Sequence, residues 1–267
     1  MKLIADIGTN PELIKIDVTD ILLHHFLKHY DDIGVTEFIL HGNDVVVDAM
    51  KSNYKDLYNI NFIPITPGEF FNYRKRDCDM YDRLKELGQL GEYNQQPPSN
   101  HICPLWIIQN DLKKQYLTEN ELCFILDLDE FVDLSSTELT ILQDHDIEFC
   151  IGVLRDRIGK SENDLISLNK KAPISEQLSQ YVDITSGIAK RASNKVIITK
   201  GYLEHSFGHH GLYKESDHTK NCPSEALTVY HYKYFKQNLE GGLGPHGRKE
   251  QEHFNKSVLA INLENKL

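Results

Sequence analysis

Residues 124–133, FILDLDEFVD, carry the densest chemistry in the sequence. Phe124-Ile125-Leu126 lead directly into Asp127-Leu128-Asp129-Glu130, and Phe131-Val132 then return to apolar character. In extended chain, alternate residues share a side, so Asp127 and Asp129 converge while Leu128 points back into packing. Two converging carboxylates repel unless a cation sits between them. An oxygen-preferring divalent ion, Mg²⁺ or Mn²⁺, suits such a pair. A merely solvated acidic turn would leave the return to Phe131-Val132 unexplained.

An apolar run that ends in acids fits a buried strand of a parallel sheet, whose carboxyl end reaches the edge where open α/β folds hold ligands. The sequence supplies the frame for such a sheet. KLIADI at 2–7 predicts a strand, and residues 18–31 predict a helix with Ile21, Leu22, Phe26 and Leu27 on one face. Residues Glu37 to His41 predict the next strand, followed by a turn, giving a β–α–β opening and a parallel arrangement. Further strands are expected at 57–65, 147–154, 195–201 and 226–235, and helices within 67–87, at 105–117 and over ELTILQDHD. Residues 88–101 read as a Gly-, Pro-, Asn- and Gln-rich loop, residues 159–180 as a polar insertion, and the tail from 237 as Gly-rich and then helical.

The bulk numbers narrow the function classes. A chain of 267 residues with 40% hydrophobic and 26% charged content builds a real core. A formal net charge of −11 disfavours nucleic acid and anionic membranes as partners. Cys78, Cys103, Cys123, Cys150 and Cys222 form no CxxC pair, which points to reduced thiols and a cytoplasmic setting. No stretch approaches the roughly 20 apolar residues of a membrane span. The opening MKLIADIGTNPEL holds no apolar run of leader length.

Two enzyme classes place acids at a strand end in this way. In haloacid-dehalogenase-like phosphatases Asp127 would be the nucleophile and Asp129 the acid/base. However, Phe131 stands where Thr or Val is expected, and over a hundred residues precede the motif. The other class is the GT-A type of nucleotide-sugar glycosyltransferase, with its DxD in mid-chain after a nucleotide-binding half. Four stretches resemble the family 2-like and family 92-like members with an LDLDEF element. They are FLKHYDDIGVTEFIL at 26–40, CFILDLDEFV at 123–132, VLRDRIG at 153–159, and KVIITKGYLEHSFGHHG at 195–211 with VYHYKYF at 229–235.

That resemblance implies an α/β GT-A fold, Rossmann-like, with a mostly parallel central sheet flanked by helices. It implies a single domain, with a nucleotide-sugar half at 1–133, an acceptor half at 134–235 and a tail at 236–267. The donor would be a nucleoside diphosphate sugar, the acceptor a glycan or glycolipid, and transfer would invert the anomeric carbon. Asp129 and Asp127 would hold the metal, with one of them free to contact ribose or a metal-bound water. A late histidine, His231 or else His209 (His210 beside it points elsewhere), would be a further ligand. Lys233, on the side of His231, and Arg74 and Arg76 would meet phosphates. Asp156 is the candidate general base, flanked by Arg155 and Arg157, with Glu130 as runner-up. His24, His25 and His29 lie on the first helix without completing a ligand set, and Trp106 is expected to pack. A sugar-binding module without turnover is the non-enzymatic reading.

Overall fold

The computed structural model describes residues 1–9, 16–86, 104–158, 169–177, 180–183, 194–205, 212, 223 and 225–232. The first half runs β1 (Lys2–Asp6), α1 (Ile16–Ile33), β2 (Glu37–Asn43), α2 (Asp44–Tyr54), β3 (Ile60–Ile65), α3 (Pro67–Glu86), α4 (Leu105–Tyr116) and β4 (Leu122–Asp127). The second runs β5 (Glu130–Val132), α5 (Ser136–Asp144), β6 (Phe149–Ile158), α6 (Ile174–Gln177), β7 (Gln180–Asp183), β8 (Asn194–Lys200) and β9 (Leu227–His231). One sheet takes the order β3-β2-β1-β4-β8-β6-β9-β5, with β7 also paired to β6.

The expected parallel arrangement holds for β3, β2, β1 and β4. Beyond β4 the sheet is mixed: β8 pairs antiparallel with β4 and β6, β9 runs parallel to β6, and β5 closes antiparallel on β9. The apolar runs are buried on both faces, as a covered sheet requires. Leu3, Phe38, Leu40, Phe124 and Leu126 face one side, against Leu23, Phe26 and Leu27 of α1 and Val46 of α2. Ile4, Ile39 and Ile125 face the other, against Phe70 of α3 and Ile108 and Leu112 of α4.

Some elements depart from the sequence expectations: α6 falls within the expected polar insertion, and α2 and β5 are others. Residues 44–54 form helix α2, where only a turn was anticipated after His41. Val46, Val47, Met50 and Tyr54 are its buried face, and Asn43 caps it by accepting the Val45 N–H at 3.0 Å. The return at Phe131-Val132 is strand β5, too short to show a period, whose pairing with β9 buries Phe131 and Val132. Among the described residues no helix is long and apolar enough to cross a membrane.

Candidate active site

The site begins where three parallel strands end. Asp6 closes β1 and stands in register with His41 of β2 and Asp127 of β4. Parallel register puts the three side chains on one face, the one covered by α3 and α4. The chain turns sharply after Asp6, with Gly8 at φ +115°, a conformation that favours glycine. The turn folds back onto Asp6: its Oδ1 accepts the backbone N–H groups of Gly8 at 3.2 Å and Thr9 at 2.8 Å, and the Thr9 hydroxyl. Burial raises the Asp6 pKa to about 6, with the Asp127 charge adding and the Thr9 bonds opposing.

Thr9 Oγ1 also lies 3.0 Å from His41 Nδ1. Because the hydroxyl donates to Asp6, it receives the His41 Nδ1–H, leaving Nε2 as the acceptor nitrogen. That Nε2 is buried and meets no hydrogen-bond partner among the described residues. Burial lowers the His41 pKa to about 3, so the ring is neutral at pH 7.

The DLDE segment is held by a lysine. Lys195 of β8, 1% exposed, reaches Asp127 Oδ2 at 3.0 Å and Glu130 Oε2 at 2.7 Å. Burial works against the ammonium, yet the two carboxylates outweigh it and raise its pKa. Glu130 Oε2 also accepts the Asp127 N–H at 2.8 Å, and burial raises the Glu130 pKa to about 6 against the pull of Lys195. Glu130 is therefore an internal anchor, 2% exposed, while Asp127 remains 33% exposed. Tyr30 ties this corner to α1, donating to the Glu130 carbonyl at 2.9 Å and accepting from the Val132 N–H at 3.0 Å.

Asp129 contacts β9 and the residue after it. Its carbonyl accepts the Tyr232 N–H at 2.8 Å, and its Oδ2 lies 3.4 Å from His231 Nε2. Glu130 and Asp156 both stand in register with His231, from the strands on either side of it. Among the described residues no three His, Cys, Asp or Glu side chains gather into a ready cation cage. The donors offered on the rim are the Asp129 carboxylate and the His231 imidazole, with Asp127 drawn toward Lys195. This set fits Mg²⁺ or Mn²⁺ carried on substrate phosphates and water, and it does not fit a structural ion in an all-protein cage. The electrostatics agree. Asp127 and Glu130 share one lysine, and with Asp6 and Asp129 they make the rim acidic.

Two expected arginines and the tryptophan are carried by α3 and α4. Arg76 on α3 binds Asp111 of α4 through both terminal nitrogens, at 2.6 and 3.2 Å, and so pins one helix to the other. Arg74 is half-buried on α3, where its charge acts on Asp77. His209 and Lys233 fall outside the described residues. Trp106 packs as expected, its Nε1–H donating to Asp77 at 2.7 Å. Asp6, Thr9, His41 and Lys195 had no role in the sequence reading. Asp6 and His41 carry a signal, a polar residue closing or interrupting an otherwise apolar strand; Thr9 in its turn and Lys195 at the head of β8 carry none.

Fold and site together define an open α/β sheet with a polar, acid-rich rim at the carboxyl ends of its parallel strands. No family model matches the chain, and no curated protein matches it. Among solved structures it is similar to HddC from Yersinia pseudotuberculosis, at 10% identity and a TM-score of 0.36 over 86% of this chain and 88% of that one. Mouse xyloside xylosyltransferase 1, in its apo form, is similar at 11% identity and a TM-score of 0.35, over 76% and 68% of the two chains. A 4-diphosphocytidyl-2C-methyl-D-erythritol synthase is similar at 13% identity and a TM-score of 0.31, over 75% of each. Likeness of this degree carries no argument about chemistry.

Proposed function

We propose that the chain is a GT-A-type glycosyltransferase that moves a sugar from a nucleoside diphosphate sugar to a hydroxyl of a glycan or lipid acceptor, with inversion. The observation that carries this reading is the Asp129–His231 pair, 3.4 Å apart on the rim beside Asp127. The LDLDEF resemblance supports it independently. Asp129 and His231 would hold Mn²⁺ or Mg²⁺, which when bound neutralises charge growing on the departing diphosphate. Lys195 fixes Asp127 and Glu130, so that Asp127 presents an oriented carboxyl group to ribose or to a metal-bound water. Asp156 takes the proton of the acceptor hydroxyl, a role Glu130 is too enclosed to fill. Arg74, Arg76, His209 and Lys233 remain candidates for further phosphate or metal contacts.

The test is hydrolysis of a panel of nucleoside diphosphate sugars with and without Mn²⁺. One donor is turned over only with metal, and Asp129→Ala lowers that rate by about a hundredfold or more without unfolding the protein. Metal-independent turnover, or full activity in Asp129→Ala, overturns the reading. Release of phosphate from a simple phosphate ester would instead mark a phosphatase.

A further inference from the structure

A cleft of about 470 Å³ opens on the far side of the β5–β9 ribbon from His231. Tyr230 and Tyr232 alternate with His231 in sequence and so face the opposite way. With Phe131, which stands in register with Tyr230 and packs edge-on to Tyr232 at 5.0 Å, they form an aromatic floor. Helix α1 supplies one wall, and Ala172, Pro173 and Ile174 supply a partly apolar wall opposite. A ligand seated here touches neither Asp129 nor His231. The volume is that of a small-molecule site, with apolar and aromatic side chains beside a larger number of polar ones.

The polar groups share a character. His29 Nε2 is held by the Val132 carbonyl at 3.0 Å and His25 Nε2 by the Asn169 carbonyl at 2.7 Å. Both rings are thereby fixed in orientation. Burial lowers the pKa of His24, His25 and His29, disfavouring their charged forms. The charged lining is three lysines, Lys28, Lys170 and Lys171, against Asp32 and Asp133. Lys170 is turned to Asp20 at 2.6 Å, Lys28 pairs loosely with Asp32 at 3.5 Å, and Asp133 accepts the Tyr230 hydroxyl at 3.0 Å. No described ion pair engages Lys171. With Asp20 counted, lysines and acids balance, and among the described residues Lys171 is the cleft lysine outside any ion pair, so it is the contact offered to an anion.

We propose that this cleft is a second ligand site, for a small amphipathic anion: a phosphate or carboxylate on an apolar or aromatic body. The body lies over Phe131, Tyr230 and Ile174, and the anionic group meets Lys171 and Lys28. The site is independent of the donor chemistry on the other face.

Calorimetric titration of the whole chain with octyl phosphate, phenyl phosphate, inorganic phosphate and octanol tests this. At least one phosphate ester binds saturably, about tenfold or more tighter than inorganic phosphate and octanol. A preference for octyl identifies a lipid-like source, and a preference for phenyl a ring-bearing one. Lys28→Glu with Lys171→Glu weakens that binding about tenfold or more, and Ala172→Trp, which fills the cleft, abolishes it. Both variants change exposed or half-exposed positions, and an unchanged melting temperature confirms the fold. The proposal is overturned if neither ester binds at millimolar concentration, or if binding survives both variants. Loss of binding in Asp129→Ala, with retention in the lysine variant, would move the anion to the other face and overturn it equally.

Discussion

At the scale of single residues, Lys195 carries the most consequence. It is buried among two carboxylates that the DLDE segment needs in place. Lys195→Met keeps the apolar stem and removes the charge, leaving Glu130 and Asp127 uncompensated. The expected loss is about 3–5 kcal/mol by urea unfolding at pH 7. Adding Glu130→Gln recovers more than half of it, because the buried charge left behind is then gone. If the double variant is no more stable than Lys195→Met, the lysine stabilises through packing rather than by pairing. Asp77 offers a pH-dependent test away from the rim. It is fully buried, and burial raises its pKa from 3.8 to about 6 against its bond to Trp106. Ionisation costs the folded state more than the unfolded one, so stability from this group is complete below about pH 4 and is lost as pH rises through about 6. Asp77→Asn keeps an acceptor for Trp106 and cannot ionise. It is expected to add roughly 2–3 kcal/mol at pH 8 and close to nothing at pH 4, read from urea midpoints at the two pH values. The acids of the DLDE segment were legible because charge broke an apolar run. Lys195 was not, since one lysine at the head of KVIIT reads as the polar flank of a strand. Only the pairing of β8 beside β4 brings it under Asp127.

At the scale of elements, the parallel half of the sheet was legible because each strand is an apolar run followed by turn residues or a helical period. The second half was less so. Its strands, such as FCIGVLRDRI and LTVYH, mix charged and aromatic residues, and nothing local decides whether a neighbour runs parallel or antiparallel. Helix α2 was hidden by Val45-Val46-Val47, a β-branched triplet with strand propensity, which tertiary burial of Val46, Val47 and Met50 overrides. Gly152 fixes how closely these later strands approach. A Cβ there would lie 2.6 Å from Val229 Cγ2 and 2.9 Å from two atoms of Ile197. Both neighbours are fully buried, so β9 must shift outward to make room. Gly152→Ala is therefore expected to cost about 1–3 kcal/mol, and more catalytic activity than its stability loss explains, because β9 carries His231. A variant with unaltered melting temperature and unaltered metal dependence would mean that the ribbon tolerates the displacement.

At the scale of the whole molecule, the net charge of −11 and the acid-rich rim oppose the phosphate-bearing substrate that the proposed activity requires. The conflict resolves only if cation and nucleotide bind together, and this thermodynamic coupling is open to measurement. A ligand that binds only the folded chain stabilises it by RT ln(1 + [L]/Kd), about 2.7 kcal/mol at a hundredfold excess over Kd. UDP or GDP alone should leave the melting temperature where it is, since the diphosphate meets Asp6, Asp127 and Asp129 without compensation. Mn²⁺ alone should have little effect, because Asp129 and His231 supply two donors where the ion takes about six. The two together should raise the melting temperature by several degrees, ~2–4 °C for each kcal/mol in a chain of this size. Asp129→Ala should erase the joint effect. A full increment from nucleotide without metal would show that the rim accepts the diphosphate directly, through cationic side chains other than Lys195. The two-donor cation site would then have no part in binding.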